Sequence, residues 1–240
     1  MRRNGGGSRD PMISVIIPTL NAEKCLAGTL AALVPAAVDG LIREAIVVDG
    51  GSNDRTPAIV DSAGAELVRA GGGRGSQLAA GAAKARFPWL LFLHADTALA
   101  PGWEREASYF MERVDTGARP VAAAAFRFAL DDTGARPRVL ERLVALRCSA
   151  LRLPYGDQGL LIPKRLYDEI GGYRPLPLME DVDLVRRLGR RRVVMLGSRA
   201  VTSAERFRRE GYVRRSARNL ICLTLYTLRV PAHVIGRIYG

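Results

Sequence analysis

No stretch of this 240-residue chain approaches the ~18–20 consecutive apolar positions that a helix needs to cross a bilayer. The longest candidate, NLICLTLYTL between Arg218 and Arg229, is about half that length. The amino-terminal MRRNGGGSRDP has basic residues but no apolar segment behind them, and MISVIIP is short and broken by Pro18. Residues 1–11 therefore read as a flexible tail and not as a secretion signal. Cysteine is scarce: Cys25, Cys148 and Cys222 are widely spaced, odd in number and form no C-x-x-C. That argues against a disulfide framework or a zinc ribbon and fits a reducing cytoplasm. There is no internal repeat and no linker long enough to separate independent domains. A Walker loop ending in G-K-[ST] is missing, as is a G-x-G-x-x-G after the first strand.

What is present is apolar and basic. Hydrophobic residues make up 48% of the chain, enough for a packed core. The charge is uneven. Residues 186–240 hold 14 arginines and no lysine against Glu205 and Glu210, so the last quarter carries the whole net charge of +12. Such a block points to an anionic partner: phosphates, nucleic acid or an anionic membrane surface. A solvated helical surface would also account for much of it.

ISVIIP (13–18), EAIVVD (44–49), AELVRA (65–70) and WLLFLHAD (89–96) read as strands. Between them AEKCLAGTLAALVPAAV, DRTPAIVDSAG and GRGSQLAAGAAKARF read as helices. This alternation predicts a parallel sheet with helices on its faces. A helix near 102–117, a strand over 121–130 and a helix in PRVLERLVALRCSALRL follow. GLLIPKRLYDEIGGY reads as a short strand and a helix, EDVDLVRRLGRR as a helix start, and RVVMLG (192–197) as a strand. The remainder reads as C-terminal helices.

In an open parallel sheet, ligands bind beyond the carboxyl ends of the strands. All four of those ends are polar here: Pro18-Thr19-Leu20-Asn21, then DGGSNDRT from Asp49, then AGGGRGSQ with Arg74 and Gln77, then His94-Ala95-Asp96. Four such loops converging on one crevice suit a nucleotide-sized ligand. Asp49 ends its strand where it can accept hydrogen bonds from a ligand, or serve only the turn. Asp96 stands where a carboxylate can hold a hard divalent cation whose other ligands are phosphate oxygens and water. Its alternative is to cap the helix starting near Pro101. His94 can add a nitrogen ligand, shifting preference toward Mn²⁺, although a hydrogen-bonded core histidine is the stronger reading. LMEDVDL brings Glu180, Asp181 and Asp183 to a helix start, where the dipole favours acids. The preceding PLPLM predicts an extended approach that aims Asp181 into the crevice as a general base. PYGDQGLLI offers Asp157 and Gln158 in a turn that lines an acceptor pocket or is simply glycine-rich.

VIIPTLNAE, VVDGGSNDRT, GRGSQLAAGA, FLHAD, GDQGLLI and LMEDVDL occur in the order seen in family-2 glycosyltransferases of GT-A fold, and the chain resembles that family from Met12 to its end. LLFLHADT, GDQGLLIPKRLYDEIGGY and PLMEDVDLVRRL are most similar to the branch called radical-SAM/selenodomain-associated transferase 2, also described as arsenosugar-biosynthesis glycosyltransferase-like. The resemblance implies a Rossmann-like, mostly parallel sheet, a nucleotide-diphosphate-sugar donor, a hydroxyl acceptor, a divalent metal (Mn²⁺ or Mg²⁺) and inversion at the anomeric carbon. It implies Thr19, Asp49 and Arg74 near the nucleotide, Asp96 as the last acid of the D-x-D metal motif, Asp181 as base with Glu180 beside it, and Asp157 and Gln158 on the acceptor side. The chain departs from the family in three places: His94 replaces the first acid of D-x-D, Gly50 a common second acid, and Ala22 a common glutamate. The processive Q-x-x-R-W is absent. ERFRRE (205–210) stands near its place, and Arg206, Arg208 and Arg209 are candidates for pyrophosphate, since guanidinium matches phosphate geometry.

The expected organisation is a catalytic domain over 12–204 and a basic helical extension over 205–240 packed on it. Leu220, Leu223 and Leu228 pack against the domain or a second subunit, or else the segment touches anionic lipid on the inner face of the cell membrane. Two rivals stand: a sugar-phosphate nucleotidyltransferase, whose glycine-rich loop after the first strand PTLNAEKC lacks, and a nucleic-acid binder, for which no aromatic-basic module is present. No nucleic-acid partner is expected.

Overall fold

The computed structural model describes residues 12–239, so the expected tail over 1–11 lies outside the described residues. In chain order the elements are β1 (Ile13–Thr19), α1 (Leu26–Ala31), α2 (Val34–Val38), β2 (Ile42–Asp49), α3 (Thr56–Ser62), β3 (Glu66–Arg69), α4 (Arg74–Lys84), β4 (Trp89–Phe92), β5 (Thr97–Leu99), α5 (Trp103–Asp115) and β6 (Ala123–Leu130). Then come α6 (Ala135–Leu151), β7 (Leu160–Pro163), α7 (Lys164–Glu169), α8 (Glu180–Leu188), β8 (Val193–Thr202), α9 (Glu205–Glu210), α10 (Tyr212–Thr227) and α11 (Ala232–Tyr239).

One eight-stranded sheet runs in the order β3-β2-β1-β4-β7-β6-β8-β5. The first four strands are parallel, β7 is antiparallel to both its neighbours, and β6 pairs parallel with β8. All seven residues of β1 are buried, the continuous pattern of a strand covered on both faces. The helices split the core into two layers. One packs α1, α2 and α5 on the sheet through Leu26, Leu30, Trp103 and Met111. The other packs α4, α7 and α8 through Leu78, Leu166 and Val182.

Sequence and structure differ in detail for physical reasons. The first predicted helix is two, because Pro35 has no N–H to continue α1 and instead starts α2. β4 stops at Phe92, earlier than the predicted 96, and the polar 94–96 turn leads into β5, a strand with no sequence signature. β5 forms because its short apolar run pairs with the end of β8, which extends five residues past the expected 197. Asp96 does not cap α5; Gly102 occupies that position. The approach to α8 is not extended at its last step, since Met179 is left-handed with φ 64°.

Helix α4 is held very close to the sheet. A Cβ at Gly81 would lie 2.4 Å from Ile16 Cγ2 and 2.9 Å from Val48 Cγ2. At Gly75 it would lie 2.3 Å from the carbonyl oxygen of Arg174. These two glycines bring the helix start, with Arg74, over the carboxyl ends of β1 and β2.

Candidate active site

The chain order of the strands reverses between β1 and β4, so the loops after these two strands diverge and leave a crevice. Two adjoining cavities fill it. One, of about 330 Å³, is bounded by Thr19 and Asn21 after β1, the Gly71–Gly73 loop and His94 and Asp96 after β4. The other, of about 120 Å³, is bounded by Asp96, Tyr155, Asp157 and Asp181. Arg74, His94, Asp96 and Arg206 line both. The acids after β4 and at the start of α8, distant in sequence, thus face one space.

Gly156 is the hinge of this arrangement. Its N–H donates to Asp181 Oδ2 at 2.7 Å, while Asp181 Oδ1 accepts from Val182 N at 2.7 Å. A Cβ on Gly156 would sit 2.6 Å from His94 Nε2 and 3.4 Å from Asp181 Oδ2. Only a residue without a side chain lets the histidine and the aspartate approach from opposite sides of the turn.

Charge is arranged with care around these acids. Burial, then Arg74 and Arg206, push the His94 pKa well below the usual imidazole value, so the ring is neutral. Asp157 is raised to about 6, chiefly by burial and then by Asp181 and Asp96, against the opposing pull of Arg147. Its Oδ1 is buried with no hydrogen-bond partner among the described residues. Glu180 is 1% exposed and forms an ion pair with Arg74. Burial raises its pKa and Arg74 opposes that.

The other predicted residues divide. Thr19 borders the larger cavity, as does Gln77, whose Nε2 donates to the carbonyls of Thr19 at 2.8 Å and Val48 at 3.1 Å. Gln77 therefore positions the strand end as well as lining the space. Arg206 on α9 projects into both cavities and makes no ion pair among the described residues.

Other predicted residues do not line the two cavities. Asp49 turns inward: its carboxylate accepts from Ser52 Oγ at 2.5 Å, Ser52 N at 3.0 Å and Gly51 N at 3.2 Å, and it does not border the crevice. Glu180 pairs with Arg74 through Oε1, its buried Oε2 has no hydrogen-bond partner among the described residues, and it does not line the cavity. Gln158 faces away from Asp157. Its Oε1 accepts from Tyr155 N and Arg147, its Nε2 donates to Phe126 O at 3.0 Å, and it borders a separate groove. Arg208 pairs with Asp131 and Asp132. Arg209 lies 3.9 Å from Glu210, outside the crevice. Arg208 leaves α9 on a different side from Arg206, while Arg209, three residues on from Arg206, is drawn toward Glu210.

Tyr155, Arg215 and Asn219 also line the smaller cavity and were not singled out as site residues. Tyr155 carries the Arg147 guanidinium 3.5 Å over its ring. Arg215 and Asn219 come from α10, whose sequence gives no sign of a site.

For a metal, the side chains on offer are Asp96 and His94. No group of three or more His, Cys, Asp or Glu gathers as a ligand set among the described residues. Asp96 Oδ1 has only long contacts, 3.5 Å from Thr97 Oγ1 and from Thr202 Oγ1. This donor set, with the unpartnered Asp157 Oδ1 nearby, fits a hard cation that takes most of its ligands from a bound phosphate and water.

A profile of the family described as Glycosyl transferase family 2 matches residues 14–175. No curated protein is matched by sequence. Among solved structures, a mycobacterial protein is 22% identical with TM-score 0.56, covering 80% of this chain and 66% of its own. Glucosyl-3-phosphoglycerate synthase from Mycobacterium tuberculosis, in complex with Mn²⁺, uridine diphosphate and glucosyl-3-phosphoglycerate, is 20% identical with TM-score 0.60, covering 92% and 81%. S. aureus TarS 1–349 is 18% identical with TM-score 0.62, covering 95% and 69%. At such identities the likeness establishes the fold, which is the GT-A Rossmann-like fold.

Proposed function

The chain belongs to glycosyl transferase family 2, and from that premise we propose that it moves a sugar, of hexose type, from a nucleoside-diphosphate-sugar to an acceptor hydroxyl with inversion and with help from a divalent cation. The observation that carries the proposal is the single cavity lined by Asp96, Asp181, Arg74 and Arg206. The structural neighbour with Mn²⁺ and uridine diphosphate supports the choice of donor and cation. Within the family, GDQGLLIPKRLYDEIGGY favours the radical-SAM/selenodomain-associated transferase 2 branch.

In this reading Arg206 and the Arg74 guanidinium attract the diphosphate, with Arg74 held in place by the buried Glu180. Asp96, with the neutral His94 beside it, would hold the cation, which when bound offsets negative charge on the departing diphosphate. Asp181 takes the proton from the acceptor hydroxyl as the oxygen attacks the anomeric carbon. Two amide donors, Gly156 N–H and Val182 N–H, fix its orientation. One base driving one displacement inverts the carbon. Asp157, beside Asp181, binds the acceptor.

The test is a thermal-shift panel of nucleoside diphosphates and sugar nucleotides with and without Mn²⁺ or Mg²⁺, followed by labelled-sugar transfer from the best donor. Stabilisation that needs a nucleoside diphosphate group and grows with the cation is expected. No stabilisation by any member of the panel contradicts the reading.

No helix among the described residues is long and apolar enough to cross a membrane. For 205–240 we keep contact with an anionic lipid surface as a proposal, supported by Val213, Leu220 and Ile221 exposed on α10 and Leu228 just after it, among arginines. Co-sedimentation with anionic liposomes tests it; equal recovery with neutral liposomes would dismiss it.

A further inference from the structure

A concavity more cationic than the catalytic crevice lies elsewhere on the molecule. A groove of about 810 Å³ opens between α6 and the β6–β8 ladder, on the far side of the Gly156–Gln158 turn. Five arginines (Arg127, Arg138, Arg142, Arg152 and Arg199) line it against one acid, Glu141. In the smaller catalytic cavity, Arg74, Arg206 and Arg215 are balanced by Asp96, Asp157 and Asp181.

The arginines are not a random surface scatter. Arg127 of β6 and Arg199 of β8 are direct partners in the parallel ladder, so their side chains leave the same face side by side. Like charges opposed in a sheet destabilise it. Glu141 is already committed, accepting from Arg138 and from the Leu130 amide. The guanidinium groups of Arg127, Arg142, Arg152 and Arg199 have no hydrogen bond or ion pair among the described residues. The ladder is also bulged at this point. Ala125 pairs with Met195 and Arg127 with Arg199, so Phe126 alone stands against Leu196, Gly197 and Ser198. Glu106 of α5 holds the bulge, accepting from Gly197 N at 2.6 Å and Ser198 N at 2.7 Å. Bulges of this kind re-aim side chains near binding sites, and this one sets the Arg127–Arg199 pair at the floor of the groove.

We propose that this groove binds a small molecule carrying two or more phosphate or carboxylate groups, with Arg127 and Arg199 as a paired clamp and Arg142 and Arg152 closing over it. Guanidinium forks match such anions bidentately, and the bound anion neutralises the repulsion the sheet otherwise carries. The site is separate from the donor crevice and does not depend on the proposed transfer reaction.

Pyrophosphate is the probe. Intact protein is treated with phenylglyoxal, with and without pyrophosphate, and arginine modification is read peptide by peptide by mass spectrometry. The proposal expects Arg127 and Arg199 to be protected several-fold. A solvent-facing arginine such as Arg214 is expected to keep its reactivity. A nucleoside diphosphate is expected to protect Arg206 more than Arg127, which distinguishes this groove from the crevice. In the double variant Arg127→Gln/Arg199→Gln, pyrophosphate affinity at the groove falls at least tenfold, while the melting temperature without ligand is unchanged or raised. Equal modification of Arg127 and Arg199 with and without pyrophosphate overturns the proposal, and that result needs no variant to fold.

Discussion

At the residue scale, Asp181 and Asp157 carry opposite expectations. Asp181 already accepts two amide N–H groups, which an asparagine oxygen can accept in part, so Asp181→Asn should fold and bind a nucleoside diphosphate normally. Its transfer rate should fall about 10²–10⁴-fold, the usual worth of a positioned base. Loss of nucleotide binding together with turnover would assign it a structural role. Asp157 bears on stability. Burial raises its folded pKa to about 6, above the ordinary carboxylate value of 3.8. The folded state therefore binds the proton more tightly, and the advantage present below pH ~4 is lost as pH rises through about 6. Asp157→Asn removes that dependence and should make the protein more stable than wild type at pH 7, by on the order of 1–3 kcal/mol. Chemical denaturation at pH 4.5 and pH 7 measures this; identical pH dependence in both proteins would show that Asp157 is not the source. Gly156→Ala should cost more than tenfold in transfer, because the new methyl group must displace His94 or the turn. Normal activity in that variant would mean that the His94–Asp181 approach is dispensable. That Asp96, Asp181 and Arg74 face one crevice was expected from polar groups at strand and helix ends, whereas the choice of Arg206 among the three arginines of ERFRRE was not. The inward turn of Asp49 and the opposed directions of Asp157 and Gln158 were not, because a carboxylate or amide looks the same in sequence whether it meets a ligand or its own loop.

At the element scale, the parallel β1–β4 half was legible because apolar runs alternate with helical spacing and each break carries glycine or proline. The strands β7 and β8 were also read, but the antiparallel pairing of β7, the bulge and extension of β8 and the three-residue β5 were not, since pairing is long-range and the run of β5 is short. Helix α4 shows how an element places a site. Gly75→Ala would push a methyl group into the backbone of Arg174 and Leu176, at 2.3 and 3.0 Å. It should destabilise the fold by roughly 1–3 kcal/mol and loosen the Arg74–Glu180 pair, weakening nucleotide affinity. Gly28 of α1 provides the contrast: nothing lies within 4 Å of its added Cβ. Gly28→Ala should raise stability by roughly 0.5–1 kcal/mol through helix propensity alone. Thermal melts of the two variants in parallel measure both; equal shifts would deny the close approach of α4.

At the scale of the whole molecule, the basic C-terminal helices and the sheet meet at the crevice. The C-terminal helices are tied down by Tyr212 to Asp132 at 2.6 Å, Arg186 to Thr227 at 2.7 Å and Tyr226 to Asp183 at 3.3 Å. From that position α9 and α10 deliver Arg206, Arg215 and Asn219 to a cavity whose acids come from the end of β4, the turn before β7 and the start of α8. The sequence showed where the basic block lies but not which of its arginines turn inward, because that depends on the angle at which α9 leaves β8. The account requires that these parts act together on one diphosphate. Calorimetric titration of a nucleoside diphosphate into wild type and Asp96→Asn, with and without Mn²⁺, tests this most directly. Affinity that rises at least tenfold with Mn²⁺ in wild type and does not rise in Asp96→Asn is the predicted result. Binding that is indifferent to Mn²⁺, or equally enhanced by it in both proteins, would contradict it.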